Sequence, residues 1–113
     1  MTFNEYQKGC LRTASSITLA TRDNMLLNGV LGAVGEAGEL ADLLKKEVFH
    51  GHPHDREHYI KECGDVLYYL ALVAESLGTT LEEVAIANNK KLWARYPDGF
   101  DREKSMHRKP GDV

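Results

Sequence analysis

Cysteine is scarce in this chain. Its two residues, Cys10 and Cys63, stand apart with no C-x-x-C between them, which argues against a disulfide framework or a thiolate zinc site. Both fall at apolar helical positions and read as reduced thiols. No apolar run approaches the roughly 18 to 20 residues that a bilayer span needs. The first residues, MTFNEYQKGCLR, lack the basic start, apolar core and small-residue cleavage site of a secretory signal, so the expectation is a cytoplasmic protein with no membrane partner. Charge of one sign is missing too: 14 Lys and Arg face 17 Asp and Glu, for a net charge of −3 and a pI near 5.9. That balance gives no global attraction to nucleic acid. There is no G-x-x-x-x-G-K-[ST] loop, which excludes a P-loop NTPase, and there are no internal repeats or low-complexity linkers to argue for a second domain. At 113 residues the chain is one domain with a core small enough that oligomerisation would help to bury its apolar surface.

What the chain does have is helical periodicity. Residues 3–20 read as a first helix with Phe3 or Tyr6, Cys10, Ala14 and Ile17 near one face, although Thr13, Ser15, Ser16 and Thr18 weaken its end. Tyr6 and Gln7 read as core packing and surface. Asp23 is the expected N-cap of a second helix over 24–49, in which Val30, Val34, Ala37, Ala41, Leu44 and Val48 should face the core. Asp42 and Lys46 form an outward i,i+4 pair, and Lys45 or Lys46 could instead neutralise phosphate. His50 to Asp55, HGHPHD, breaks the pattern and reads as a solvated loop: its histidine spacing fits no helical zinc pair. A third helix runs from Asp55 or Arg56 to Leu77 with Ile60, Cys63, Leu67, Leu70, Ala74 and Leu77 inward, and stops at Gly78. Thr80 to Glu83 is a capping box that opens a fourth helix, Leu81 to Arg95. Tyr96 to Phe100, YPDGF, ends that helix with its aromatics folding back. Residues 101–113 read as a loose polar tail.

The informative residues are acids inside apolar helices. Glu36 and Glu39 are three apart, as are Glu62 and Asp65, so each pair projects from one helix face. Carboxylates grouped near a core repel one another and lose hydration; they need protons, basic partners or a cation. Oxygen-only ligands suit a hard divalent ion, Mg²⁺ or Mn²⁺. Gly35, Gly38 and Gly64 flank the acids and suggest close helix approach or room for a ligand. On the fourth helix Asn88, Lys91 and Arg95 share one stripe, an amide and two cations of the kind a triphosphate needs.

Three stretches together, GEAGELADLLKK, ECGDVLYYLALVAESLG and TLEEVAIANNKKLWARYPDGF, resemble the MazG-like nucleoside triphosphate pyrophosphohydrolases of the all-α NTP pyrophosphatase superfamily. The resemblance spans about Asn4 to Phe100. The family pattern is E-E-x-x-E followed by E-x-x-D; Glu36 and Glu39 match its second and third acids, Glu62 and Asp65 its E-x-x-D, and Gly35 replaces the first acid. Tyr6 and Gln7 match a recurring Tyr-Gln. The resemblance implies an all-α antiparallel four-helix bundle over 1–100, completed by assembly into a homodimer or homotetramer. It also implies Mg²⁺ held by Glu36, Glu39, Glu62 and Asp65, with Glu36 or Glu39 orienting water, and phosphate contact by Asn88, Lys91 and Arg95, beside Lys46. The reaction implied is hydrolysis of an NTP or dNTP to monophosphate and pyrophosphate. Alternatives are a dUTP or phosphoribosyl-ATP pyrophosphohydrolase of the same superfamily, or a weakly catalytic nucleotide-binding bundle, the last suggested by Gly35.

Overall fold

Six helices and no strand make up the computed structural model, which describes residues 1–113. They are α1 (Phe3–Leu11), α2 (Ser16–Leu19), α3 (Arg22–Phe49), α4 (Arg56–Ser76), α5 (Leu81–Arg95) and α6 (Arg102–Met106). The all-α class is the one the periodicity calls for. The chain divides into two compact units, Met1–Leu81 and Glu82–Val113. No helix is long and apolar enough to cross a membrane.

In the first unit the helix expected over 3–20 is two helices. The Thr2 side chain and Glu5 form a capping box that starts α1, and the Thr13 hydroxyl then donates to the Cys10 carbonyl where α1 ends. Ser15 turns out of the helix to cap α2, its Oγ accepting from the Thr18 amide at 3.1 Å. Short hydroxyl side chains satisfy amide groups better at a helix start than inside a helix, so the Ser/Thr run divides the segment. The same competition moves the start of α3: Thr21, rather than Asp23, accepts from the Asn24 amide at 3.0 Å. Asp55 caps α4, accepting from the His58 amide at 3.1 Å, and Gly78 follows α4 at φ 68°, the left-handed conformation that only glycine adopts freely.

α3 and α4 form an antiparallel hairpin. Its register is read from pairs that run in opposite senses: Gly29 lies against Val73, Gly32 against Tyr69, and Glu47 accepts from the Tyr59 hydroxyl at 2.8 Å. The glycines set the spacing. A Cβ on Gly29 would meet Val73 Cγ2 at 2.8 Å, and one on Gly32 would meet the Tyr69 ring at 2.2–2.4 Å. By contrast Gly35, Gly38 and Gly64, the glycines that the sequence points to for close approach, have nothing within 4 Å of such a Cβ. Their value is open space.

Because α3 turns its glycine face to α4, its branched apolar stripe points elsewhere. Val30, Val34, Ala37, Ala41, Leu44 and Val48 are exposed rather than buried, Val34 at 69% and Val48 at 60%. Ile60, Cys63, Leu70 and Leu77 of α4, also expected inward, are exposed as well, whereas Ala74 is buried and Leu67 half-buried. The enclosed core is narrower than the periodicity suggests. Cys10, Ala71, Leu72, Ala74 and Leu81 are its buried residues, and Tyr6, Leu67 and Tyr68 pack against the cluster of Cys10, Ala71, Ala74 and Leu81. Gln7 fastens its edge. Its amide donates to Glu75 Oε2 at 2.8 Å and the Thr79 carbonyl at 3.0 Å, and its oxygen accepts from the Leu81 amide at 2.8 Å.

In the second unit α5 ends where Pro97 and Gly99 make a helix impossible, and Phe100 packs on Tyr96 with ring centroids 5.5 Å apart while staying 78% exposed. The segment expected to be a loose tail is ordered around α6. Asp101 caps that helix, accepting from the Lys104 amide at 3.1 Å.

Candidate functional site

The hairpin register brings Glu36 of α3 opposite Glu62 and Asp65 of α4. Each offers one carboxylate oxygen, and these oxygens lie within 4.8 Å of one another. Glu36 and Glu62 are half-buried and Asp65 is exposed. The Glu36 carboxyl is pushed above its ordinary range, first by lost hydration and then by repulsion from Asp65, Glu62 and Glu39. Negative charge is therefore held together here against its own repulsion, the condition that a cation relieves. Glu39, one turn along α3, is exposed and outside the trio. It lines a neighbouring cleft of about 270 Å³ with Asp42, Lys46, His58 and Glu62.

Two groups that the motif does not include support the trio. His58 Nε2 lies 2.9 Å from Glu62 Oε1 and fixes that carboxylate from behind. The i,i+4 spacing of His58 and Glu62 was legible in the sequence. Tyr6 donates to the Gly64 carbonyl at 3.4 Å, and its phenol is pushed up to about 12, chiefly by burial, then by Cys10 and the nearby Asp65 charge. Its match to the recurring tyrosine thus has a physical basis in packing beside the acids. Lys46 is bound to Asp42 at 2.7 Å, as is Lys45; these pairs hold the Asp42 carboxyl down at about 2, Lys45 contributing first.

The basic stripe belongs to the second unit. Lys91 and Arg95 line a pocket of about 460 Å³ together with Lys104, Arg108, Lys109 and Asp112. Asn88 is not part of its lining. Arg95 is paired with Asp112, Nε to Oδ2 at 2.8 Å and Nη2 to Oδ1 at 2.6 Å, and lies over the Tyr96 ring at 5.8 Å. Asp112 is a partner that no local sequence signal announces, since the pair is separated by seventeen positions.

Both the carboxylate trio and the stripe lie largely within a segment that matches a known family: residues 27–100 match the MazG nucleotide pyrophosphohydrolase domain. A phage relative, the Gene 37 protein of Mycobacterium phage L5, is 36% identical over 73 residues, which is 61% of this chain and 64% of that protein. The chain thus spans a little under two thirds of that relative's length. No solved structure matches. With the ordered acids of α3 and α4 and a match over most of its length, the chain belongs to the MazG nucleotide pyrophosphohydrolase domain family.

Proposed function

We propose that the protein hydrolyses a nucleoside triphosphate, NTP or dNTP, at its α–β anhydride, releasing a monophosphate and pyrophosphate. The observation that carries this reading is the meeting of Glu36, Glu62 and Asp65 oxygens within 4.8 Å across two helices of a MazG chain. The donor set fits Mg²⁺, or Mn²⁺ in its place: all ligands are hard oxygens, their charge is uncompensated by any nearby base except His58, and Glu36 is destabilised as an anion until a cation arrives. A bound Mg²⁺ supplies positive charge to the phosphate oxygens and a more acidic water.

The remaining work falls to side chains. Glu39, outside the trio yet within electrostatic reach of Glu36, would orient the attacking water and receive its proton. Lys46 borders the same cleft and can exchange Asp42 for a phosphate oxygen. Asn88, Lys91 and Arg95 would hold the departing pyrophosphate, which needs cations beyond the metal.

The pocket is completed by a second copy of the chain. Leu27, Val30, Leu31, Val34, Leu44 and Val48 form an exposed apolar stripe along α3, more than a solvated helix tolerates. A homodimer or homotetramer would cover it, and sedimentation of a Val34→Glu, Leu44→Glu variant should show a smaller species than wild type.

Pyrophosphate release from a panel of nucleotides, with and without Mg²⁺, tests the reaction. Loss of turnover in Asp65→Asn supports it. Absence of release from every nucleotide by the wild-type protein would leave a nucleotide-binding bundle, the reading that Gly35 in place of an acid favours.

A further inference from the structure

The last residues of the chain return to α5. Asp112 offers both carboxylate oxygens to Arg95 at 2.8 and 2.6 Å, the fork-to-fork geometry in which a guanidinium grips a carboxylate or, equally, a phosphate. The Arg95 side chain is only 8% exposed in this grip. Around the pair the lining carries Lys91, Lys104, Arg108 and Lys109, and Asp112 is its single carboxylate. Charge in the pocket converges on that one anion: the Asp112 carboxyl is held below its ordinary range by Arg95 first, with Arg108 and Lys91 adding to the effect. A turn presents it. The Asp112 amide donates to the Lys109 carbonyl at 3.1 Å, and Gly111 takes φ 83°, a conformation strained for other residues.

One carboxylate cannot satisfy five cations, whereas a phosphate chain carries several charges and more acceptor oxygens. We propose that this pocket receives a phosphate chain and that Asp112 is its tethered stand-in, so that the C-terminal strap must release Arg95 before the ligand enters. The idea rests on the reading of Lys91 and Arg95 as phosphate-binding residues, and adds Lys104, Arg108 and Lys109 to them. A phosphate offers the guanidinium the same forked contact with more charge and more acceptor oxygens, and so can take the carboxylate's place. Being tethered, the carboxylate competes at high effective concentration and lowers the fraction of protein ready to bind.

The test is calorimetric titration of the full chain with inorganic tripolyphosphate in EDTA, so that neither metal nor turnover enters. Asp112→Asn should bind about tenfold more tightly than wild type, the factor expected if about a tenth of the wild-type straps are open. Gly111→Ala, which loosens the same turn through a different residue, should tighten binding in the same direction and decides the matter should the Asn variant fail to fold. Lys104→Glu should weaken binding in either background. Orthophosphate binding as tightly as tripolyphosphate would overturn the assignment to a chain. A DNA duplex preferred over tripolyphosphate would also overturn it, in favour of a nucleic-acid backbone. Unchanged or weaker tripolyphosphate binding by both strap variants would reduce Asp112 to a structural partner of Arg95 and sink the proposal. Failure of the hydrolase reading looks different: no pyrophosphate from any nucleotide, with the strap effect on tripolyphosphate intact.

Discussion

Replacing Gly32 by alanine is the sharpest probe of the hairpin. Its Cβ would lie 2.2–2.4 Å from Tyr69 Cδ1, Cε1 and Cγ, against an ordinary carbon–carbon separation of about 3.5–4.0 Å. The helices must part by about 1 Å or the Tyr69 ring must leave its place beside Tyr68, where the two rings meet edge-on at 5.0 Å. Overpacking of this kind costs about 1–3 kcal/mol, of which alanine's better helix propensity offsets about 1 kcal/mol. The net loss is up to about 2 kcal/mol. Gly9→Ala is the control, because a Cβ there meets nothing within 4 Å; it should gain about 0.5–1 kcal/mol. The two variants should therefore differ by about 2 kcal/mol, or roughly 8 °C in Tm for a domain of this size, read by urea and thermal unfolding. Tyr69→Ala should restore part of the loss in a double-mutant cycle. Gly32 is one turn from Glu36 and Tyr69 one turn from Asp65, so any rise in Tm on adding Mg²⁺ to the wild-type protein should shrink in Gly32→Ala. Equal stability of Gly32→Ala and Gly9→Ala would refute the close approach, and with it the register that assembles the acids.

Other outcomes follow from the same geometry. Glu36→Gln and Asp65→Asn should each abolish Mg²⁺ binding measured by calorimetry, whereas Glu39→Gln should keep binding and lose turnover; the reverse pattern would exchange the roles of Glu36 and Glu39. Gln7→Ala leaves the Leu81 amide without its acceptor in a buried setting, an omission worth about 1–3 kcal/mol in a denaturation experiment. The Asp42 carboxyl is depressed to about 2 from an ordinary 3.8, so its pairs with Lys45 and Lys46 stabilise the fold above about pH 4 and lose that contribution as pH falls towards 2. Asp42→Asn should accordingly lower Tm at pH 6 and leave it unchanged at pH 2, a difference that disappears in high salt.

Helix identity was legible because apolar spacing and breakers such as Gly78 act locally. What the apolar spacing could not say is which stripe would be covered. α3 has two candidate faces, one of Val30, Val34, Leu44 and Val48 and one of Gly29, Gly32 and Glu36, and hydrophobicity alone chooses the first. The structure chooses the second, because glycine permits two backbones to approach where branched side chains hold them apart. The choice also separated the acids. Glu36 shares the glycine face and meets Glu62 and Asp65 of α4, while Glu39 lies outside that trio and lines the adjoining cleft with Glu62, a distinction that i,i+3 spacing leaves open. Gly29 and Gly32 look in sequence like Gly35 and Gly38; only the neighbour across the gap tells them apart. Thr21 and Asp23 are both good caps, and the one in extended backbone conformation wins. Asp112 was invisible because seventeen positions separate it from Arg95, beyond the reach of any local pattern.

The loop between α3 and α4, residues 50–55, is only six residues long. The segments that donate the carboxylates are thus neighbours in chain order as well as in space, and a short closure of this kind forms early in folding, at little entropic cost. An ion captured by the nascent hairpin would act as a staple before the N-terminal helix docks, so refolding in a divalent salt should be faster than refolding in a chelator.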